Sequence, residues 1–102
     1  MRMVTDGRIK ETSLYVFLAI GFLRMYDEAT TLPNIIEQME SLFGKRYALQ
    51  TVKNNIHRLR AKNKIIYVGL HNPDIPYRID DAALEEWVML WNFYENVRKP
   101  LK

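Results

Sequence analysis

Between Leu14 and Leu23 every position except Gly21 is apolar, so a helix spanning about residues 8–26 would be apolar on all sides. Such a helix must be covered on more than one side. Val16, Ile20 and Leu23 share one face at i, i+4 and i+7, and Tyr15, Leu18 and Phe22 share another. The next repeat is narrower: Leu32, then Ile35 or Ile36, Met39, then Leu42 or Phe43. Thr30 and Thr31 are candidate N-caps ahead of it, Pro33 fits its first turn, and Gly44 suits the left-handed position after its last. This predicts an amphipathic helix over about residues 32–43. Beyond Lys45-Arg46-Tyr47, the stripe Leu49, Val52, Ile56 and Leu59 predicts a third helix over about 48–62, stopped near Lys62 or Asn63.

The period then changes. Ile65-Ile66-Tyr67-Val68 is β-branched and aromatic, Gly69 to Ile75 has turn composition, and Pro76-Tyr77-Arg78-Ile79 reads as a returning strand. Together they predict a hairpin over about 65–79. Asp80 or Asp81 caps a last helix over about 81–98, with Glu85 and Glu86 near its start and Arg98 and Lys99 near its end, as the helix dipole favours. The expected fold class is mostly α with a small β-hairpin (α+β), in a single domain covering residues 1–102. A chain of this length buries one core and no second one.

Composition adds little, and the distribution of charge adds more. Hydrophobic residues make up 48% and charged residues 26% of the chain, the proportions of an ordinary globular protein. The formal charge of +3 is a remainder. From Ser41 to Pro73 there are seven bases (Lys45, Arg46, Lys53, Arg58, Arg60, Lys62 and Lys64) and no acid, while the segments on either side each sum to −2. An acid-free basic block of this kind is the footprint expected of a polyanion binder.

Two amphipathic helices joined by a short turn, the second one basic and followed by a hairpin, resemble the winged helix-turn-helix family. The resemblance rests on Ile35-Ile36-Glu37-Gln38-Met39-Glu40-Ser41-Leu42-Phe43-Gly44, then Gln50-Thr51-Val52-Lys53-Asn54-Asn55-Ile56-His57-Arg58-Leu59-Arg60, then Asn63-Lys64-Ile65-Ile66. Asn63 stands where glycine is common, and Ile65-Ile66 supply the aliphatic pair that opens the first wing strand. Gly44 precedes Val52 by eight positions, a longer turn than a compact helix-turn-helix uses. That layout is similar to PadR-like and some MarR-like repressors, in which a dimerising C-terminal helix follows the wing. The resemblance implies a small transcriptional regulator, with helix 48–62 as its recognition helix.

The chemistry can be argued from the residues themselves. At about 100° per residue, Gln50, Asn54 and Arg58 point away from the apolar stripe, with Thr51 and His57 beside them. Asn55 also belongs to this polar set. Arg pairs with guanine, and Asn or Gln with adenine, through two bonds in the major groove. Lys53 and Arg60 lie nearer the core stripe, at an angle better suited to phosphates. Lys45 and Arg46 in the turn, and His71, Asn72 and Arg78 in the hairpin, are candidates for the backbone or a minor groove. Each has a plainer reading: a solvated helix face for the polar residues, an incidental surface position for His57, and pairing with Asp80 or Asp81 for Arg78.

A homodimer is expected from apolar surface in excess of what one chain needs. Tyr15, Leu18 and Phe22 on the first helix, and Trp87, Leu90, Trp91, Phe93, Tyr94 and Val97 on the last, are the candidate interface. Two recognition helices one duplex turn apart would then read a palindrome. The expected partners are double-stranded DNA and a second copy of the chain.

Catalytic chemistry has no foothold. The four glycines are dispersed, so no phosphate-cradling loop forms, and there is no cysteine. His57 and His71 sit on different elements, a spacing that suggests no metal site. No cofactor is expected, and no effector pocket can be named, although the aromatic helices leave room for one. The longest uncharged run, Thr12 to Leu23, is too short to span a bilayer, and no signal-peptide cleavage pattern follows it, so a cytoplasmic protein is expected. Two rival readings remain: a winged-helix module that binds an acidic protein, and a nucleic-acid binder indifferent to sequence.

Overall fold

A helix that is apolar all round has to lie in the middle, and α1 (Glu11–Met25) does. Val16, Phe17, Leu18, Ala19 and Ile20 are five successive buried residues, so every side of this helix is covered. The computed structural model describes residues 11–98, and the expected beginning of this helix near residue 8 lies outside them. Around α1 stand α2 (Leu32–Phe43), α3 (Leu49–Ala61), the hairpin strands β1 (Ile65–Tyr67) and β2 (Tyr77–Ile79), and α4 (Leu84–Arg98). The protein is thus mostly helical with one small antiparallel sheet. No helix among the described residues is long and apolar enough to cross a membrane.

The amphipathic helices place their stripes on α1 through Ile35, Ile36 and Met39 of α2 and Val52, Ile56 and Leu59 of α3. The expected stripe of α3 is one residue too long. Leu49 is 50% exposed, because the first turn of the helix extends past the core that covers Val52. Both helices stop on a left-handed residue. Gly44 (φ +75°) follows α2 and donates its N–H to the Glu40 carbonyl at 2.8 Å. Asn63 (φ +60°) follows α3, a conformation that asparagine tolerates better than most residues.

Ile65 and Ile79 face each other across the hairpin, and both are buried. Beyond the strands the pairing continues from Asp80 N–H to the Lys64 carbonyl and from Val68 N–H to the Pro76 carbonyl. Thr30, one of two candidate caps for α2, has a different task. Its buried hydroxyl donates to the Tyr77 carbonyl and accepts from the Tyr77 N–H, and its own N–H reaches the Asp74 carbonyl. Thr31 occupies the cap position without a side-chain bond. The hairpin is therefore fastened to the entrance of α2. Asp80 closes the exit, accepting from the Ala82 N–H at 3.0 Å ahead of a single 3-10 turn (Asp81–Ala83).

Chain direction reverses between α1 and α4. Trp87 meets α1 at Gly21, where an added Cβ would lie 2.2 Å from the indole ring. That close approach lets the indole N–H donate to the Phe17 carbonyl at 3.0 Å. Further along, Trp91 stacks on Trp87 and tilts against Phe22, while Tyr94 packs edge-on to Phe43, itself stacked on Tyr15. Tyr94 also donates its hydroxyl to the Leu42 carbonyl. Two expected interface residues are thereby corrected. Leu18 and Trp87 are buried in their own chain's core.

Candidate nucleic-acid interface

The outward side of α3 is where the sequence concentrates polar and basic side chains. Gln50, Lys53, Asn54, His57, Arg58 and Arg60 are all exposed. Gln50 Nε2 donates to Asn54 Oδ1 at 3.0 Å, one helical turn further on. Lys53, Arg58 and Arg60 form no ion pair with any described residue, so their charge remains available. Exposed arginines and lysines on one helix, with polar amides between them, form a donor-rich ridge of the width a major groove admits.

Two members of the expected set do not belong to this ridge. Asn55 is only 6% exposed: it accepts from the Ser13 hydroxyl of α1 and donates from Nδ2 to the Thr51 carbonyl. It joins two helices inside the protein and cannot reach a ligand. It lies at the margin of the apolar stripe, one turn from Val52 and from Leu59, and the Ser13 hydroxyl holds it inward. Thr51 is half-buried beside it, its carbonyl engaged by Asn55.

The basic block is partly neutralised by acids drawn from outside it. Arg46 pairs with Glu40 of α2 at 2.9 Å, and Lys64 pairs with Glu86 of α4 at 2.5 Å. The second pair is the more shielded and ties the residue before β1 to α4. Lys45 is exposed and lies over the Tyr47 ring, 5.2 Å from its centroid. Arg78 meets Asp81 at 3.5 Å, a loose contact to a carboxylate that is itself well exposed. His71 and Asn72 are exposed on the hairpin loop, where both backbone N–H groups bond to the Val68 carbonyl.

One residue at this surface was not among the sequence candidates. The Arg60 guanidinium sits over the exposed ring of Tyr67, 5.3 Å from its centroid, and so holds the hairpin beside the Lys53 and Arg60 flank of α3. Arg60 and Tyr67 lie on either side of a helix stop, so no periodicity in the chain could have paired them. Tyr67 in turn leans on Tyr77 across the sheet.

Around α4, the expected interface residues divide by depth. Tyr15, Phe22, Leu90, Trp91 and Tyr94 are partly buried against the core, whereas Phe93 and Val97 are 68% and 64% exposed. Met89 joins these two at 70%. Phe93 and Val97 also border an open groove of about 180 Å³ against Leu14, Tyr15 and Leu18 of α1. Among the described residues, no group of three or more His, Asp or Glu side chains is arranged to hold a metal ion. No protein-family model, no curated protein and no solved structure matches this chain.

Proposed function

We propose that this chain is a winged helix-turn-helix regulator that binds specific sites in double-stranded DNA as a homodimer. In this reading α3 is the recognition helix, the β1–β2 hairpin is the wing on the backbone or minor groove, and the protein is a binder rather than an enzyme. The observation that carries it is the outward ridge of α3, where Asn54, His57 and Arg58 project with Gln50 and Lys53 and no carboxylate among the described residues pairs with Lys53 or Arg58. Arg58 and Asn54 are the base readers, and Lys53 and Arg60 hold phosphates. The apolar edge of α4 at Met89, Phe93 and Val97 supports the two-fold pairing that would set two such helices one duplex turn apart.

A binding assay on duplex pools at several salt concentrations tests this. Arg58→Ala relaxes base preference at one position of the site, at a cost of about 1–3 kcal/mol for the preferred sequence. Lys53→Ala weakens binding to all sequences alike and lowers the salt slope by about one. Affinity that ignores sequence would indicate a non-specific nucleic-acid binder. No affinity for duplex DNA at low salt would overturn the reading in favour of an acidic protein partner.

A further inference from the structure

Where the end of α1, strand β2 and the start of α4 meet, they leave an open groove of about 370 Å³, within the range of small-molecule sites. Trp87 and Ile79 are buried and form its floor, and the indole lies there because Gly21 has no side chain to keep it off α1. Met25, Leu84 and Val88, each about half exposed, form an apolar rim. Two guanidinium groups are set into this lining, Arg24 from α1 and Arg78 from β2, against a single carboxylate, Asp81.

Both arginines are loosely held. Arg24 donates to the Glu28 carbonyl at 3.1 Å and comes no nearer than 3.8 Å to Asp27. Arg78 reaches the Ile79 carbonyl at 3.4 Å and Asp81 at 3.5 Å. The Asp27 and Asp81 side chains are 93% and 83% exposed, so these pairs stand in water and bind their arginines weakly. A guanidinium has five N–H donors, and most of those on Arg24 and Arg78 have no acceptor among the described residues. An anion lying against an apolar wall meets a lower local dielectric than one in bulk water, which strengthens its attraction to such a group.

We infer that this groove binds a small carboxylate with an apolar body, the body lying on Trp87, Ile79 and Val88 and the carboxylate accepting from Arg24 and Arg78. A cation of the same shape meets two like charges, and a neutral molecule leaves both unused. The inference does not depend on DNA binding, and either can fail without the other.

The test titrates the full-length protein at neutral pH with octanoate, octan-1-ol and octylamine, reading tryptophan emission. Proton NMR of the Trp87 indole N–H and the Met25 methyl locates the site. Octanoate is expected to saturate and to shift both signals, with octan-1-ol about ten-fold weaker and octylamine weaker still. Arg24→Gln and Arg78→Gln are each expected to lower octanoate affinity about five- to ten-fold while octan-1-ol affinity stays level. Val88→Glu, at a half-exposed position, is expected to abolish octanoate binding with the circular dichroism spectrum unchanged. Three results overturn the inference: no saturable binding of octanoate, octanoate no tighter than octan-1-ol, or affinity unmoved in both arginine variants. Shifts confined to Phe93 and Val97, on the other groove of α4, overturn it as well.

Discussion

The first and last helices are written in a similar alphabet and end in different situations. α1 and α4 each run 15 residues, and each carries apolar or aromatic side chains around most of its circumference. α1 is enclosed by α2, α3, β2 and α4, so its residues from Val16 to Ile20 are fully covered. α4 has a neighbour on one side only. Trp87, Leu90, Trp91 and Tyr94 rest on the core, and Met89, Phe93 and Val97 stay in the open. An all-round apolar pattern therefore states a demand for cover, and the number of elements that come to meet it decides whether the demand is satisfied within one chain.

Replacing one phenylalanine in each helix is the strongest way to break that comparison. Phe17→Ala is expected to cost about 3–5 kcal/mol in urea unfolding, because it opens a cavity where no side chain can move in. Phe93→Ala, measured at low protein concentration, is expected to stay within about 1 kcal/mol of wild type. At higher concentration it should weaken the homodimer proposed above, read as a shift of sedimentation toward monomer. Equal losses of stability for the two variants would mean that the α4 edge is as enclosed as α1.

A smaller contrast sits inside α3. Asn55→Ala leaves the buried Ser13 hydroxyl without its acceptor and is expected to cost about 1–3 kcal/mol. Asn54→Ala, one residue earlier and exposed, should fall within about 0.5 kcal/mol of wild type in the same denaturation series. If the two cost the same, the inward and outward assignment of α3 fails.

The smallest effect concerns Tyr15, at the edge between α1 and α4. Its hydroxyl donates to the Glu11 carboxylate at 2.8 Å, and that bond, with partial burial and the nearby negative charge, pushes the phenol up to about 12. A phenol that ionises later in the folded state than in the unfolded one stabilises the fold at lower pH. The contribution is complete below the ordinary value of 10.0 and is lost as pH rises from there through about 12. Ultraviolet titration should show a late tyrosine component near pH 12. That late component should disappear in Tyr15→Phe and move to lower pH in Glu11→Gln. A titration curve unchanged in both variants would remove the Glu11 bond from the account.

Much of the fold was legible because its signals are local. Helix repeats need only neighbours three and four positions away, Gly44 and Asn63 adopt left-handed backbone by their own chemistry, and Asp80 caps a turn two residues on. Most of the candidate ridge was legible for the same reason, since Gln50, Lys53, Asn54, His57 and Arg58 share one side of one helix. Asn55 was misplaced because a polar residue at the margin of a stripe can face either way. What drew it inward is Ser13, which comes from another helix 42 positions away.

The sequence by itself determined the order of the elements and that positive charge gathers in the middle third of the chain, while the last helix, expected from about residue 81, begins at Leu84 after a separate 3-10 turn. The order and the charge depend on residues within a turn or two of one another. Tertiary structure decided which of that charge is left unpaired, since Glu40 and Glu86 reach Arg46 and Lys64 from outside the block. It also decided that Thr30 binds a strand instead of capping a helix, and which edge of α4 is left uncovered. In each case the deciding partner lies elsewhere in the chain, and only packing brings it within hydrogen-bonding or van der Waals distance.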